Sequence, residues 1–240
     1  MSETPRGRVL IIAGSDSGGG AGIQADIKTV TALGGFAMTA VTAITVQNTL
    51  GVTNVHAIPP EIVREQIEAV MGDLGADTWK IGMMGSAAHV RAVMEAWYAV
   101  GGGAPVVLDP VMIAKGGASL LEDDAIAVIR DELVPVAAIV TPNAPEAEAL
   151  TGVEVRDLEG QKRAADVLVN KLGAWSALVK GGHIEGDRQP SDASSTNRAR
   201  AFASCIWRGV RQRARSSSGL ATTTATQRAR DVATFSRLRL

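Results

Sequence analysis

Val9-Leu-Ile-Ile-Ala13, followed at once by Gly14-Ser-Asp-Ser-Gly-Gly-Gly-Ala-Gly22 and then by Ile23, Ile27 and Val30, decides the fold of this chain. A short continuous apolar run ending at a glycine reads as a strand buried on both faces of a parallel sheet. Ile23, Ile27 and Val30 fall at i, i+4 and i+7, which is one stripe of a helix. The unit is strand, glycine loop, helix.

Outward from this unit the same alternation recurs. Ala37 to Val46 is apolar, a helix is expected from Pro60 with Ile62, Ile67, Val70 and Leu74 on one side, and Thr78 to Ile81 reads as a short strand. A helix through Val90, Val93, Met94 and Trp97 leads to a strand from Pro105 to Leu108. A helix using Ile126, Ile129 and Leu133 leads to another from Ala137 to Thr141. Helical turns over Ala144 to Leu150 and Gln161 to Lys171 precede a last strand, Ala177 to Lys180. Strands alternating with helices predict an α/β fold of three layers, with a mostly parallel central sheet covered by helices on both sides.

A chain of 240 residues, 46% hydrophobic, can bury a full core, and the regular alternation favours one domain over two. No run of about 18 apolar residues occurs, and the first ten residues lack the apolar stretch of a signal peptide, so a cytoplasmic protein is expected. Cys205 is the only cysteine, which excludes an intramolecular disulfide and a multi-cysteine metal site. Charge is unevenly spread. Met1 to Asp187 holds 13 Lys and Arg against 23 Asp and Glu, whereas Arg188 to Leu240 holds 11 Arg, no Lys, and only Asp192 and Asp231. Residues 1–187 therefore read as the folded domain and 188–240 as a basic tail.

In open α/β sheets ligands bind beyond the carboxyl ends of the strands, so the polar residues that follow each strand are the candidates. They are the glycine segment 14–22, Gln47-Asn48, Gly82-Met-Met-Gly85, Asp109-Pro-Val-Met112, Pro142-Asn143 with Glu146, and Gly181-Gly-His183. Gly20-x-Gly22-x-x-Ala25 formally matches the dinucleotide fingerprint. That motif also needs an acidic residue about 20 positions on, and none occurs between Asp26 and Glu61. No glycine is followed by Lys and then Ser or Thr, which excludes a P-loop. Plainer roles compete at each position. The glycines can serve a tight turn, although five within nine residues suggest a close backbone approach. Asp109 can cap a helix, and Asn143-x-x-Glu146 is a helix-start signature. Lys180, at the end of an apolar strand, points to an anion, because a buried ammonium needs a partner. His183 reads as a loop-ordering residue, with no nucleophile or second ligand at a recognisable spacing.

Six stretches together carry a family resemblance: Ala13-Gly-Ser-Asp-Ser-Gly-Gly-Gly-Ala-Gly-Ile-Gln-Ala-Asp26, Val46-Gln-Asn-Thr49, Lys80-Ile-Gly-Met83, Leu108-Asp-Pro-Val-Met112, Thr141-Pro-Asn-x-x-Glu146 and Val179-Lys-Gly-Gly-His183. In that order they resemble the hydroxymethylpyrimidine and phosphomethylpyrimidine kinases of thiamine biosynthesis, members of the ribokinase-like superfamily. The resemblance implies ATP and Mg2+ as cofactors, a small pyrimidine as substrate, no membrane and a possible homodimer. It implies a pyrimidine pocket lined by Gly14, Asp16, Gly22 and Gln47, with Met83 and Val111 as apolar walls. A carboxamide suits the ring because it offers donor and acceptor in one plane. Asp109 and Asn143 would lie near the phosphates and Asp109 and Glu146 near magnesium, which prefers oxygen ligands and keeps much of its water. Lys180 would contact phosphate oxygens, and Lys115, in Ala114-Lys-Gly-Gly117, would fold over the substrate or remain a solvated loop lysine.

The chain departs from the family late. The family's catalytic Gly-Thr-Gly-Cys segment, whose helix-start amides form an anion hole, does not occur, and Cys205 stands in Ala203-Ser-Cys-Ile-Trp207 without the glycines. No catalytic residue is thus expected to be intact. The tail is rich in Arg, Ser and Thr with few apolar residues, a composition that favours disorder. It lacks the aromatic interleaving of a nucleic-acid binder. Loss of Lys and Glu in favour of Arg reads as a shifted reading frame near Gly186 to Arg188, which the other two frames of the gene would test. Weak or absent kinase turnover is expected, with a pyridoxal kinase and a binding-only pyrimidine protein as alternatives.

Overall fold

A computed structural model of the chain describes residues 5–112, 123–181 and 193–195. Eight strands and six α-helices follow one another as β1 (Arg8–Asp16), α1 (Gly22–Ala32), β2 (Phe36–Gln47), β3 (Val52–Ala57), α2 (Pro60–Asp73), β4 (Thr78–Ile81), α3 (Ala87–Val100), β5 (Val106–Leu108), α4 (Asp123–Val128), β6 (Ala137–Val140), α5 (Ala144–Thr151), α6 (Leu158–Asn170), β7 (Ala177–Val179) and β8 (Ala193–Ser195). All eight strands join one sheet in the order β3-β2-β1-β4-β5-β6-β7-β8. The central neighbours are parallel, and the two edge pairs, β2 with β3 and β7 with β8, are antiparallel. The α/β expectation is thereby met, with a mixed rather than wholly parallel sheet.

Connections between parallel strands are right-handed, so the direction in which the chain steps across the sheet decides which face each helix covers. α1 steps from β1 to β2, and the later crossovers step the opposite way, from β4 to β7. Packing agrees with this rule. Ile11 and Ala13 pack with Ile23 and Val30 of α1. Leu10, Ile12, Trp79, Ile81, Val106, Leu108, Val140 and Val179 point to the other face and share one core with Val63 and Ile67, Val90 and Val93, Leu150 and Leu168. Among the described residues, α1 is the single α-helix on its face.

Three details differ from the sequence reading. On α2 the buried stripe runs through Val63 and Ile67, while Ile62 and Leu74 are each 42% exposed. A step of one residue turns a helix by about 100°, and tertiary packing selected the stripe that meets β2 and α3. The helix expected through Ile126, Ile129 and Leu133 is interrupted. A π-turn spans Ile129–Leu133 and a 3-10 turn Val134–Val136, which keeps Ile129 and Leu133 buried ahead of Pro135. β3 was not foreseen, because Val52-Thr-Asn-Val-His-Ala57 is exposed nearly throughout and carries no burial pattern.

The segment 188–240, expected to lack order, contributes β8. Ala193 pairs with Val179 and Ser195 with Ala177, and Ala193 is buried. Backbone hydrogen bonding at a sheet edge needs no apolar periodicity, which is why composition missed it. His183, Lys115, Cys205 and the rest of the tail lie outside the described residues.

Candidate active site

The step reversal between β1 and β4 is a topological switch point, where the loops after two neighbouring strands diverge and open a crevice at their carboxyl ends. The glycine segment Gly14 to Gly22 closes β1 and turns into α1, and Gly82-Met83 follows β4. The two meet in close contact. A Cβ placed on Gly14 would lie 2.6 Å from the Met83 methyl, and one on Gly22 would lie 2.3 Å from the Gly14 carbonyl oxygen. Gly22 also has φ +55°. Glycine is required at Gly22, where backbone already fills the space at a positive φ, whereas at Gly14 the neighbour is the flexible end of Met83.

Asp16, 5% exposed, organises the loop. Its carboxylate accepts hydrogen bonds from the amides of Gly18 at 2.7 Å, Gly20 at 3.0 Å and Ala21 at 2.8 Å. Gln24 completes the scaffold, accepting from the Asp16 amide and donating to the Ser15 hydroxyl, while Lys28 donates to the Gly19 carbonyl. The amides of Gly18, Gly20 and Ala21, the N-cap of α1, are therefore turned onto a carboxylate of the chain itself, and no side chain caps α1. A phosphate cradle would leave such amides pointing outward, so this loop does not have the form of one.

Gln47, at the end of β2, is held by two residues that the sequence reading did not single out. The Ser17 hydroxyl donates to the Gln47 carbonyl at 2.7 Å and accepts from its amide at 2.8 Å. The Thr45 hydroxyl donates to the Ser15 carbonyl at 2.9 Å and lies 3.1 Å from Gln47 Oε1. The glycine segment thus fixes the backbone of Gln47, and the carboxamide itself touches Thr45 of the same strand. Met83 is fixed in the same way, its carbonyl accepting from the buried Thr42 hydroxyl at 2.7 Å. Thr42 in turn accepts through its carbonyl from the Ile58 amide, and the Ile58 carbonyl takes a 2.7 Å contact from His89 Nε2. Because a carbonyl can only accept, the Nε2 hydrogen is assigned to His89.

A second group lies farther along the same edge, after β5, β6 and β7. Lys180 Nζ donates to Asp109 Oδ1 at 2.8 Å and lies 4.0 Å from Glu146 Oε2, with side-chain exposures of 15%, 14% and 4%. The Asp109 amide bonds to Ile81 and the Lys180 amide to Pro142, so neighbouring strands place these residues. Asn143 and Glu146 form the complete capping box of α5: Asn143 Oδ1 accepts from the Glu146 amide, and Glu146 Oε2 accepts from the Asn143 amide. The capping role and the approach to Lys180 coexist in one carboxylate. A parallel bridge between Asn143 and Lys180 brings the two loops into register. Val111, half-buried, follows Asp109 in a tight turn in which its amide bonds the Asp109 carbonyl.

Two carboxylates against one ammonium leave a net negative charge formed wholly of oxygen donors, which fits a hard divalent cation carrying phosphate and water. Among the described residues no group of three or more His, Cys, Asp or Glu side chains is arranged to hold a metal ion. Magnesium at phosphoryl-transfer sites needs only one or two carboxylates plus substrate phosphate, and Asp109 and Glu146 are the residues here that would supply them. Among the described residues, no helix is long and apolar enough to cross a membrane.

Sequence reading found the glycine segment, Gln47, Met83, Asp109, Asn143, Glu146 and Lys180, and the structure brings them together in these two groups. It missed Ser17, Thr42, Thr45 and Gln24, whose hydroxyl and amide groups act over distances that no local pattern records.

Comparison with known proteins accords with this geometry. The family model described as Phosphomethylpyrimidine kinase matches residues 16–233. A hydroxymethylpyrimidine/phosphomethylpyrimidine kinase of Mycobacterium leprae is 50% identical over 185 residues, covering 77% of this chain and 66% of that protein. The crystal structure of a phosphomethylpyrimidine kinase from Clostridium difficile superposes with a TM-score of 0.72 at 41% identity, over 80% of this chain and 81% of that one. The pyridoxal kinase of Staphylococcus aureus in complex with pyridoxal gives 0.71 at 32% identity, over 80% and 69%. The chain spans about two thirds or less of the length of most of the curated relatives it matches. The ribokinase-like architecture expected from the motifs is the one these structures share. With the strand order, the motifs and the sequence identity in agreement, the chain belongs to the phosphomethylpyrimidine kinase family, a family of phosphotransferases.

Proposed function

We propose that the chain binds 4-amino-5-hydroxymethyl-2-methylpyrimidine in the crevice between the glycine segment and Met83, and that it descends from an enzyme phosphorylating the hydroxymethyl group and then the resulting monophosphate with MgATP. The observation that carries the reading is the pairing of two groups on one sheet edge. One is the crevice between the glycine segment and Met83, where Ser17 holds the backbone of Gln47 and Thr45 touches its carboxamide. The other is the charged cluster Lys180, Asp109 and Glu146.

Each side chain suits its role. Gln47 would pair with the ring nitrogen and exocyclic amine, Met83 and Val111 would flank the ring, and Gly14 and Gly22 would let the backbone approach it. Asp16 would act on the substrate through the amides it orients. Lys180 would exchange its bond to Asp109 for phosphate oxygens, as a mobile ammonium on a flexible stem can. Asn143 would lie beside those oxygens, and Asp109 and Glu146 would hold magnesium directly or through water. Magnesium, when bound, would offset the charge on the transferring phosphate.

Catalysis of this class is mainly positioning and charge stabilisation. Loss of one oxyanion donor costs about a hundredfold to a thousandfold, and the Gly-Thr-Gly-Cys segment that supplies several is absent from the sequence. We therefore propose binding with little turnover, in the cytoplasm, with a reading frame altered after about residue 187 and with a second copy as the expected partner. Pyridoxal is the competing ligand, since pyridoxal kinases share this fold. Calorimetry with the pyrimidine and with pyridoxal, on the wild type and on Gln47→Ala, tests the reading. Pyrimidine binding weakened at least about tenfold by Gln47→Ala is the expected result. Tighter pyridoxal binding, or pyrimidine binding indifferent to Gln47, would sink it. MgATP turnover equal to that of a complete family member would refute the loss of activity.

A further inference from the structure

Lys80 occupies an unexpected place for a lysine. It lies in β4, a central strand, in register with Ile11 on one side and Val107 on the other. Its side chain is on the α1 face and is 19% exposed, and its ammonium meets Asp26 Oδ2 of α1 at 2.6 Å; Asp26 is 23% exposed. A valine or isoleucine would satisfy the sheet at this position. An ion pair this withdrawn from water gives little net stability, since desolvation offsets attraction and apolar replacement of both partners is often neutral or stabilising.

The direction of the lysine shows what the pair joins. A Cβ placed on Gly82 would lie 2.9 Å from Lys80 Nζ, so the ammonium runs forward along β4 and lies over Gly82, the residue before Met83. Asp26 is in the second turn of α1, just past the glycine segment. The bond thus ties the helix that leaves the loop to the strand exit that carries Met83, directly beneath the switch-point crevice.

We infer that Lys80 and Asp26 are positioning residues for the pyrimidine pocket: their ion pair sets the spacing between the glycine segment and Met83, and Gly82 is glycine to leave room for it. The inference rests on the pocket reading above. It separates from a merely structural role because replacing both charges by apolar side chains of similar volume should preserve the fold and loosen the pocket.

The test is the double variant Lys80→Met with Asp26→Leu, compared with the wild type by thermal unfolding and by calorimetry with the pyrimidine and with ADP. The expected result is a melting temperature equal to or above that of the wild type, pyrimidine affinity lowered about tenfold, and ADP affinity unchanged. Gly82→Ala, which keeps both charges but displaces the ammonium, should weaken the pyrimidine in the same selective way. If both variants retain wild-type pyrimidine affinity, or if they lose pyrimidine and ADP affinity together, the positioning role is overturned. A wild-type chain that binds neither pyrimidine nor pyridoxal would overturn the pocket itself, a separate result in the same experiment.

Discussion

Lys180 and Asp109 are 71 positions apart in sequence, and their side chains meet at 2.8 Å. Only the parallel order β5, β6, β7 allows this, because each strand ends at the same edge and hands its next residue to the same space. Glu146 stands at 4.0 Å from the same ammonium, so the lysine balances two carboxylates.

Removing that ammonium should therefore cost stability as well as nucleotide binding. Lys180→Met removes the ammonium that lies 2.8 Å from Asp109 and 4.0 Å from Glu146, and a loss of about 2–3 kcal/mol is expected in urea denaturation, somewhat below the range for a fully buried pair. Adding Asp109→Asn should restore a good part of it. Independent, additive effects of the two changes would contradict the cluster.

The two glycines of the loop should respond differently to the same substitution. Gly22→Ala sets a methyl 2.3 Å from a backbone carbonyl at φ +55°, a clash that no side-chain movement relieves, and a loss of more than about 3 kcal/mol is expected. Gly14→Ala meets only the end of Met83, a flexible side chain. The protein should stay folded there and lose pyrimidine affinity instead, which calorimetry beside a melting curve will show.

Asp16→Ala strips an acceptor from three backbone amides. Gly18, Gly20 and Ala21 are exposed, so water can replace the carboxylate, and at about 0.5–1.5 kcal/mol net for each bond a total of about 2 kcal/mol is expected. Hydrogen exchange should quicken at Gly18, Gly20 and Ala21 before the strands are affected. Unchanged protection at these amides would show that the loop is held by something other than Asp16.

Glu146→Gln divides capping from metal binding. A glutamine oxygen still accepts from the Asn143 amide, so α5 should lose less than about 1 kcal/mol. The gain in ADP affinity on adding magnesium should shrink severalfold, measured by calorimetry with and without EDTA. An undiminished magnesium effect would assign the cation to Asp109 and phosphate alone.

Much of this was legible in the sequence because parallel strands are buried on both faces. Val9 to Ala13 and Ala177 to Val179 announce themselves by continuous apolar runs, and the residue after each run is at the binding edge by topology. Motif order then supplied Gln47, Asp109, Glu146 and Lys180. What stayed hidden has no local periodicity. β3 is exposed along nearly its whole length, β8 is a small polar segment, and the choice of Val63 over Ile62 on α2 depends on where neighbouring helices press. Ser17, Thr42 and Thr45 were hidden for another reason. A hydroxyl acts by distance to a backbone group 30 or 41 positions away, which spacing cannot express. Lys80 and Asp26 lay inside quoted motifs, yet only the register beside Ile11 and Val107 shows that the lysine is misplaced for a plain strand.

The division of the sheet into two faces also bears on synthesis from the ribosome. Among the described residues the larger core, from Leu10 to Val179, lies on the α2 to α6 side and ends in sequence with β7. Every described residue of that layer has been made before anything beyond Gly181 emerges. The α1 face is different: Val107, Ile139 and Leu178 are only partly buried there. Mutations in the Leu10 to Val179 layer should therefore act early, on whether a nascent chain escapes proteolysis. Changes along the Val107 row should act late, on how the finished molecule behaves in concentrated solution.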